Sequence, residues 1–143
     1  MNTPSTPADK VSIVLFLGTT DKLIAASVIA SGAAAMQKQV TIFLTFWGLM
    51  AFRKGAKEQP PRISADFADF VEAAIQAMQA KKVPHWLDTL RDAIDLGDVK
   101  VKACGLTMDL FGLKLEDLEP LVGEVTGVGS FVKESTGGQT FFI

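Results

Sequence analysis

The sequence of 143 residues is poor in the side chains from which metal centres and disulfide frameworks are built. It contains one cysteine, Cys104, and one histidine, His85. A single cysteine excludes an intrachain disulfide framework and any zinc or iron–sulfur site that needs several cysteines. A single histidine excludes a histidine-rich metal centre and leaves these two residues as the only internal thiol–imidazole pair. The sequence therefore predicts no metal site.

Strong net charge and long apolar runs are also missing. The net charge of −2 gives no global electrostatic argument for binding nucleic acid. The uncharged stretch 40–52 is shorter than the roughly 17–25 residues that span a bilayer. The apolar stretch 23–36 follows a strand-like run rather than the short basic segment that begins a signal peptide. We expect a cytoplasmic protein with no membrane span and no nucleic-acid partner.

The composition that remains is that of a folded domain. Hydrophobic residues make up 48% and charged residues 21%, which excludes a long disordered chain. The polar, proline-containing residues 1–10 are predicted to form a flexible tail, and residues 11–143 a single domain. The apolar cluster in Phe43–Phe52 is more than one small subunit is expected to cover. We therefore expect a homo-oligomer that buries part of it.

The order of apolar runs and turn signals predicts alternating strands and helices. Double-sided apolar runs at 11–17 and 40–46, alternation at 99–103 and shorter runs at 124–125 and 140–143 predict five strands. Helices are predicted from Thr20 or Asp21, over 64–82, from Pro84 to Gly97, over 107–113 and over 127–135. This pattern indicates an α/β, flavodoxin-like three-layer sandwich with a five-stranded parallel sheet in the order 2-1-3-4-5.

In that strand order, two loops meet where such sheets bind ligands. The turn 18–21 follows the first strand, and the turn that begins at Cys104 follows the third. A cysteine between a strand and a helical turn faces free backbone N–H groups, which favour the thiolate. Gly105 would let those groups approach an anion on the sulfur, and Thr107 could add a hydroxyl donor. Alternatively, Cys104 is a buried and inert residue at a strand end.

A basic cluster lies after the second strand. Arg53, Lys54, Lys57 and Arg62 occur within ten residues and could attract a small anion or an acidic partner. A solvated surface loop is the other interpretation. Trp47, just before this cluster, could line the pocket or belong to the core or a subunit contact.

Two other sequence features give weaker evidence of function. Gly127 and Gly129 open a helix after a strand, but Val132 stands where a dinucleotide fingerprint has its third glycine. His85 follows a proline at a helix start, far in sequence from Cys104. We expect it to be a surface or capping histidine rather than a general base.

With Cys104 placed, the chain resembles a known family. The segment 99–112, VKVKACGLTMDLFG, is similar to the cysteine segment of the DsrE/DsrF-like sulfur-relay proteins, in the branch of DsrE-like sulfur carriers and putative peroxiredoxins. The opening SIVLFLGTTDKLIAASVIASGAAAM, the second strand VTIFLTFWGL and the late segment GVGSFVKES also match. The resemblance covers residues 11–143.

The resemblance implies a sulfur carrier that needs no cofactor. In this family the matching cysteine takes sulfane sulfur, as a persulfide or as bound thiosulfate, and hands it to a TusA-like or rhodanese-like protein. The subunit is expected to form homo-oligomers, and a second cysteine used by some relatives is missing here. The expected catalytic residue is Cys104. The expected binding residues for small sulfur anions are Gly105, Thr107, Gly18, Thr19, Thr20, Trp47, Arg53 and Lys54.

Other functions stay open from the residues alone. A non-catalytic oligomeric binding or assembly module would keep Cys104 buried for structural reasons. A peroxidase would have Thr or Ser three residues before its reactive cysteine, where this chain has Val101, and it would need a resolving cysteine. A nucleotide-binding domain would bind FMN, NAD or ATP and show a thermal shift.

Overall fold

Five parallel strands form one sheet in a computed structural model that describes residues 9–143. The strands are β1 (Lys10–Leu15), β2 (Gln39–Leu44), β3 (Val99–Cys104), β4 (Val122–Thr126) and β5 (Gln139–Phe142). The helices are α1 (Thr20–Ala35), α2 (Phe46–Met50), α3 (Val71–Ala80), α4 (Trp86–Leu96), α5 (Gly105–Phe111) and α6 (Val128–Ser135). Short 3-10 turns occupy Ala56–Glu58, Ala65–Phe70 and Leu115–Asp117. The predicted parallel α/β fold with five strands is confirmed.

The predicted tail falls mostly outside the described residues. Of residues 1–10, the structure describes only Asp9 and Lys10, and Lys10 already begins β1.

The predicted strand order is wrong. The sheet has the order β4-β3-β2-β1-β5, so the chain adds β2, β3 and β4 on one side of β1 and places only β5 on the other. The physical reason lies in the burial of the strands. In the order 2-1-3-4-5, β2 would be an edge, but its last five residues are all buried, as in a central strand. The most exposed strands, β4 and β5, are the actual edges.

The two faces of the sheet are covered unequally. One face, which carries Ile13, Ile42 and Val101, packs against α1 and α4 and forms the main core. The other face carries Phe43 and is covered by α6. Crossovers between parallel strands are right-handed. A connection that crosses the sheet in the reverse direction, from β4 back to β5, therefore places its helix on the face opposite to that of α1 and α4. The return from β4 to β5 therefore brings α6 over the face that α1 and α4 leave open.

The segment between β2 and α4 departs most from the predicted elements. The second strand, predicted to run to Phe46, ends at Leu44, and Phe46–Met50 form α2 where no helix was predicted. The helix predicted over 64–82 is split, because residues 65–70 form a 3-10 turn and α3 begins only at Val71. Phe67 and Phe70, which helical spacing places on one face of that predicted helix, are 56% and 62% exposed. The amphipathic pattern is present in the sequence, but the fold gives these rings no apolar surface to cover.

The apolar cluster at Phe43–Phe52 is largely covered within the subunit. Leu49 and Phe52 are fully buried, and Phe52 packs against Trp86 with ring centroids 4.9 Å apart. Trp47 is 51% exposed. The expectation that this cluster exceeds what one subunit can cover is therefore wrong for most of its members. Within residues 9–143 no helix combines the length and the hydropathy needed to cross a bilayer.

Candidate functional site around Cys104

Cys104 lies at the carboxyl end of a central strand, on the face covered by α6. It is the last residue of β3 and directly precedes α5. Its side chain is 6% exposed and packs with Phe43 and Phe131. These two rings stack with centroids 4.6 Å apart, and Phe131 belongs to α6. The thiol therefore lies beneath a helix that reaches this face by a single crossover.

A chain of hydrogen bonds joins the end of β2 to the first turn of α5, beside the sulfur. The Thr107 side chain is fully buried, and its hydroxyl accepts a hydrogen bond from the Phe46 N–H at 3.1 Å. The Thr45 and Thr107 hydroxyl oxygens are 3.2 Å apart, and either can donate. Because the Phe46 N–H occupies one acceptor position of Thr107, the hydroxyl proton of Thr107 is free to point toward the sulfur.

This arrangement favours the thiolate of Cys104. Burial raises the pKa of the thiol, but hydrogen bonds to the sulfur outweigh it, so that the pKa of Cys104 is lowered overall. The groups that lower the pKa are the backbone N–H and the hydroxyl of Thr107, the hydroxyl of Thr45 and the backbone N–H of Leu106. When one of the two hydroxyls donates to the other, only the second has its proton free for the sulfur. Hydrogen bonding to the charged form lowers a pKa in this way without a neighbouring cation. The result is a buried thiol that is nevertheless acidic.

Phe46 holds the β2 side of this network in a restricted backbone conformation. Its φ of 48° lies in the left-handed region, which bulky residues seldom adopt. Such a residue persists where surrounding contacts hold it. Its N–H bonds to Thr107, and its ring lies 5.7–5.8 Å from those of Phe16, Trp47 and Phe111. The aromatic cluster therefore fixes the backbone that holds Thr107 beside the sulfur.

The turn after β1 does not border Cys104, because β2 lies between β1 and β3. Gly18 is required there for packing, since a Cβ would overlap the carbonyl of Trp47. Thr20 is bound to Arg62 by two hydrogen bonds, Thr20 N–H to the Arg62 carbonyl at 2.6 Å and Arg62 N–H to the Thr20 hydroxyl at 3.0 Å. The predicted meeting of the first turn, 18–21, with the cysteine turn is therefore wrong, and the loop after β2 takes its place.

Thr19 and Gly105 have ordinary structural positions. Thr19 precedes α1 and is the residue at its N-cap. Gly105 is the first residue of α5, and a Cβ there would make only an ordinary contact, 3.6 Å from the Thr126 carbonyl oxygen. Glycine is therefore not sterically required at position 105. The backbone lies close to the sulfur because Gly105 directly follows Cys104 in the chain.

The basic cluster is only partly free. Lys57 forms an ion pair of 2.8 Å with Asp88, and the Arg53 Nε donates to the Met50 carbonyl at 3.0 Å. Arg53 and Lys54 are exposed and form no ion pair within residues 9–143. Arg62 is also exposed and bonds to Thr20 only through its backbone, so the side chains of Arg53, Lys54 and Arg62 remain available to an anion.

Two residues at the site were not found from the sequence. Thr45 directly follows β2, and its role depends on β2 being the neighbour of β3, which the predicted order excluded. Phe131 lies in a helix that was predicted correctly. The sequence of its eight residues did not indicate which face of that helix packs against the sheet. The prediction that His85 caps a helix is confirmed, because its Nδ1 accepts the Leu87 N–H at 3.1 Å.

Metal-ligating groups do not gather anywhere in the part of the chain that is described. Residues 9–143 contain no cluster of three or more His, Cys, Asp or Glu side chains placed to hold a metal ion.

Comparisons with known proteins agree with the fold. A model of the DsrE/DsrF/DrsH-like family matches residues 7–69 and 64–142. The uncharacterized protein YrkE of Bacillus subtilis (strain 168) is 35% identical, over 90% of this chain and 92% of YrkE. The protein of unknown function MTH1491 from Methanobacterium thermoautotrophicum superposes with a TM-score of 0.57 at 14% identity, covering 94% of this chain and 98% of its own. The ychN protein from E. coli gives 0.56 at 15% identity, covering 94% and 99%.

Proposed function

This chain belongs to the DsrE/DsrF/DrsH-like family, and we propose that it is a sulfur carrier that acts through Cys104. The thiol takes sulfane sulfur from a small anion or from a protein persulfide and passes it to a TusA-like or rhodanese-like partner. The observation that carries this proposal is the position of the buried Cys104 directly before α5 and beside the Thr45 and Thr107 hydroxyls, where hydrogen bonding lowers the pKa of its thiol.

The loading step is a nucleophilic exchange at sulfur. The Cys104 thiolate attacks the outer sulfur of thiosulfate and forms a new S–S bond. The old S–S bond breaks, sulfite leaves with its electron pair, and Cys104 holds a persulfide anion. The total charge is unchanged and no oxidant is consumed. A protein persulfide donor reacts in the same way, with its thiolate as the leaving group.

The same donors suit the loaded state. A persulfide is an anion one sulfur longer than the thiolate, and N–H and O–H groups fixed in advance stabilise it at no cost of reorganisation. Because the sequence has no second cysteine, the sulfur leaves Cys104 only by attack from a thiol of another molecule. The chemistry therefore requires a partner that docks near the end of β3.

Exposed apolar side chains near the site offer a surface for docking. Leu106 and Leu110 of α5 are 74% and 58% exposed, and Trp47 contacts Phe111 of the same helix with centroids 6.1 Å apart. We propose that this rim serves a sulfur-transfer partner or a second copy in a homo-oligomer. Since Cys104 is only 6% exposed, Phe131 must move aside before a protein thiol reaches the sulfur.

The direct test is the intact mass of the protein after incubation with thiosulfate, polysulfide or a persulfidated carrier. We expect wild type to gain one sulfur atom from thiosulfate or a persulfidated carrier, or one or a few from polysulfide, and to lose the added sulfur with reductant. Cys104→Ala should gain nothing. The same adduct on Cys104→Ala, or none on wild type with any donor, contradicts the proposal.

The free basic side chains give a second test. Reversing Arg53 and Lys54 to Glu should slow the loading of Cys104 by thiosulfate, and more so at low salt, because exposed charges are screened beyond about 8–10 Å at 0.1–0.15 M. Reversing Lys38 and Lys100, at the amino ends of β2 and β3, is the charge-matched control. Equal, salt-independent rates in both double variants would assign the cluster to a solvated loop.

The burial of the thiol supports one other function. At 6% exposure, Cys104 also fits a non-catalytic assembly module in which it is a core residue. The rate of S-alkylation separates the two. A carrier predicts labelling whose pH midpoint lies below that of an ordinary thiol, whereas a structural cysteine predicts labelling only on unfolding.

A further inference from the structure

An apolar groove lies apart from Cys104, where α3 crosses the start of α1 and α4. It encloses a cavity of about 280 Å³. Apolar side chains from all three helices and the loops beside them form most of its surface: Ile24, Pro61, Ile75, Met78, Val83 and Trp86. This volume is close to the lower end of the roughly 300–1,000 Å³ typical of small-molecule sites.

The helix over this groove does not fill it. None of the residues of α3 is buried, although Ile75 and Met78 turn toward the groove and are half-buried. The opposite wall is well packed, because Trp86 is 4% exposed and its ring packs at a tilt against Phe52. The wall formed by Trp86 is therefore closely packed, whereas the wall formed by α3 leaves room for a ligand.

Hydrogen-bond donors lie at one end of the groove, in the loop between α3 and α4. Lys82 lines this end and forms no ion pair with any residue in 9–143. The His85 Nδ1 accepts the Leu87 N–H, so a neutral ring carries its proton on Nε2. Burial lowers the pKa of His85, which favours that neutral form. No carboxylate of the described residues lines the groove.

We propose that this groove binds a medium-chain carboxylate, with its chain along Ile75 and Met78 and its carboxylate at Lys82 and His85. The apolar walls match the chain, and a cation beside a ring N–H matches an anionic head. A neutral or cationic amphiphile fits less well, because the lining residues include the unpaired ammonium of Lys82 and no carboxylate. The site is independent of the sulfur chemistry proposed for Cys104.

Trp86 reports directly on occupation of the groove. The chain has two tryptophans, so Trp47→Phe leaves Trp86 as the only one. Titrating this variant with decanoate, kept below its micelle concentration, should change the Trp86 emission with saturation at one equivalent per chain. Decanol, which has the same chain and no charge, should bind more weakly.

Paired variants on α3 and its end locate the site. Met78→Glu places a charge in the groove and should weaken decanoate binding by at least about tenfold. Gln76→Glu, exposed on the same helix and outside the groove, should not. Lys82→Gln should weaken decanoate about two- to fivefold and leave decanol unchanged, and Lys81→Gln should change neither. None of these side chains is buried, so the variants should fold.

Three results would overturn the proposal. The first is a decanoate response that does not saturate. The second is equal binding by the Met78→Glu and Gln76→Glu variants. The third is binding to phosphatidylglycerol vesicles, sensitive to Met78→Glu, without binding of free decanoate, which would assign the groove to a membrane surface.

Discussion

Replacing Thr107 by Val tests the origin of the acidity of Cys104. Valine has nearly the shape of threonine, so it fills the same buried space and removes only the hydroxyl. A hydrogen bond to a charged group contributes about 1.5–3 kcal/mol. We take the lower figure, because the Thr107 and Leu106 N–H groups and the Thr45 hydroxyl remain. Since about 1.4 kcal/mol is a factor of ten, the acid dissociation constant of Cys104 should fall about tenfold, which raises its pKa.

The same substitution has a separate effect on stability. It leaves the Phe46 N–H without its partner, and an unsatisfied buried donor costs about 1–3 kcal/mol. Thr107→Ser is the matched control, because it keeps the hydroxyl and loses a buried methyl group, which costs about 1 kcal/mol. Both variants should therefore be destabilised in urea by comparable amounts, but only Thr107→Val should shift the titration of Cys104.

The assay is the rate of alkylation by iodoacetamide as a function of pH. Since Cys104 is the only thiol, no background cysteine has to be removed. The rate should rise through a midpoint that is higher for Thr107→Val than for wild type and nearly unchanged for Thr107→Ser. If Thr107→Val keeps the wild-type midpoint, or if both variants shift it equally, the hydroxyl does not stabilise the thiolate.

Three further outcomes follow from the structure. Phe131→Ala should speed alkylation of Cys104 without moving its pH midpoint, at a cost of about 3 kcal/mol in urea unfolding; an unchanged rate would show that this ring does not cover the thiol. Gly48→Ala should unfold far more easily than wild type, because the added Cβ would overlap the Leu15 carbonyl. Gly129→Ala, where α6 leaves open space, should be neutral or stabilising by up to about 1 kcal/mol. Equal melting temperatures of the two variants would refute this reasoning. The ion pair with Lys102 lowers the pKa of Glu134, so the stability it adds is present above the unfolded-state pKa and is lost as the pH falls through the folded one. The protection of the amides of 128–135, measured against their intrinsic exchange rate at each pH, should fall in that acid range in wild type but not in Glu134→Gln.

The strands could be predicted from the sequence because their residues carry the necessary information locally. The residues 11–15 and 40–44 are apolar on both faces, which is typical of central parallel strands. The position of Cys104 at a strand end followed from Gly105 and the helical turn after it. The apolar pattern of 40–44 already argues against an edge position for β2. The full order could not be predicted, because pairing also depends on which faces the helices cover and not on any one segment.

The partners of Cys104 were missed for the same reason. Thr45 and Phe131 are distant from it in sequence, and each contact exists only because β2 neighbours β3 and α6 crosses back over them. Nothing local distinguishes Thr45 from other threonines of the chain. A correct strand order would have identified Thr45, whereas Phe131 also required the register of α6 against the sheet.

The pairing of β5 with β1 has a consequence for how the molecule assembles. Val11 pairs with Gln139, so this contact closes a loop of nearly the whole chain. Its loop-closure entropy cost is the largest of any strand pairing in the sheet. While the protein is being synthesised, one edge of β1 stays open to other strands, which favours aggregation. The helix that covers Cys104 emerges just before β5. The thiol is therefore among the last parts to be enclosed, and it is more exposed in a nascent chain than in the folded protein, where Cys104 is 6% exposed.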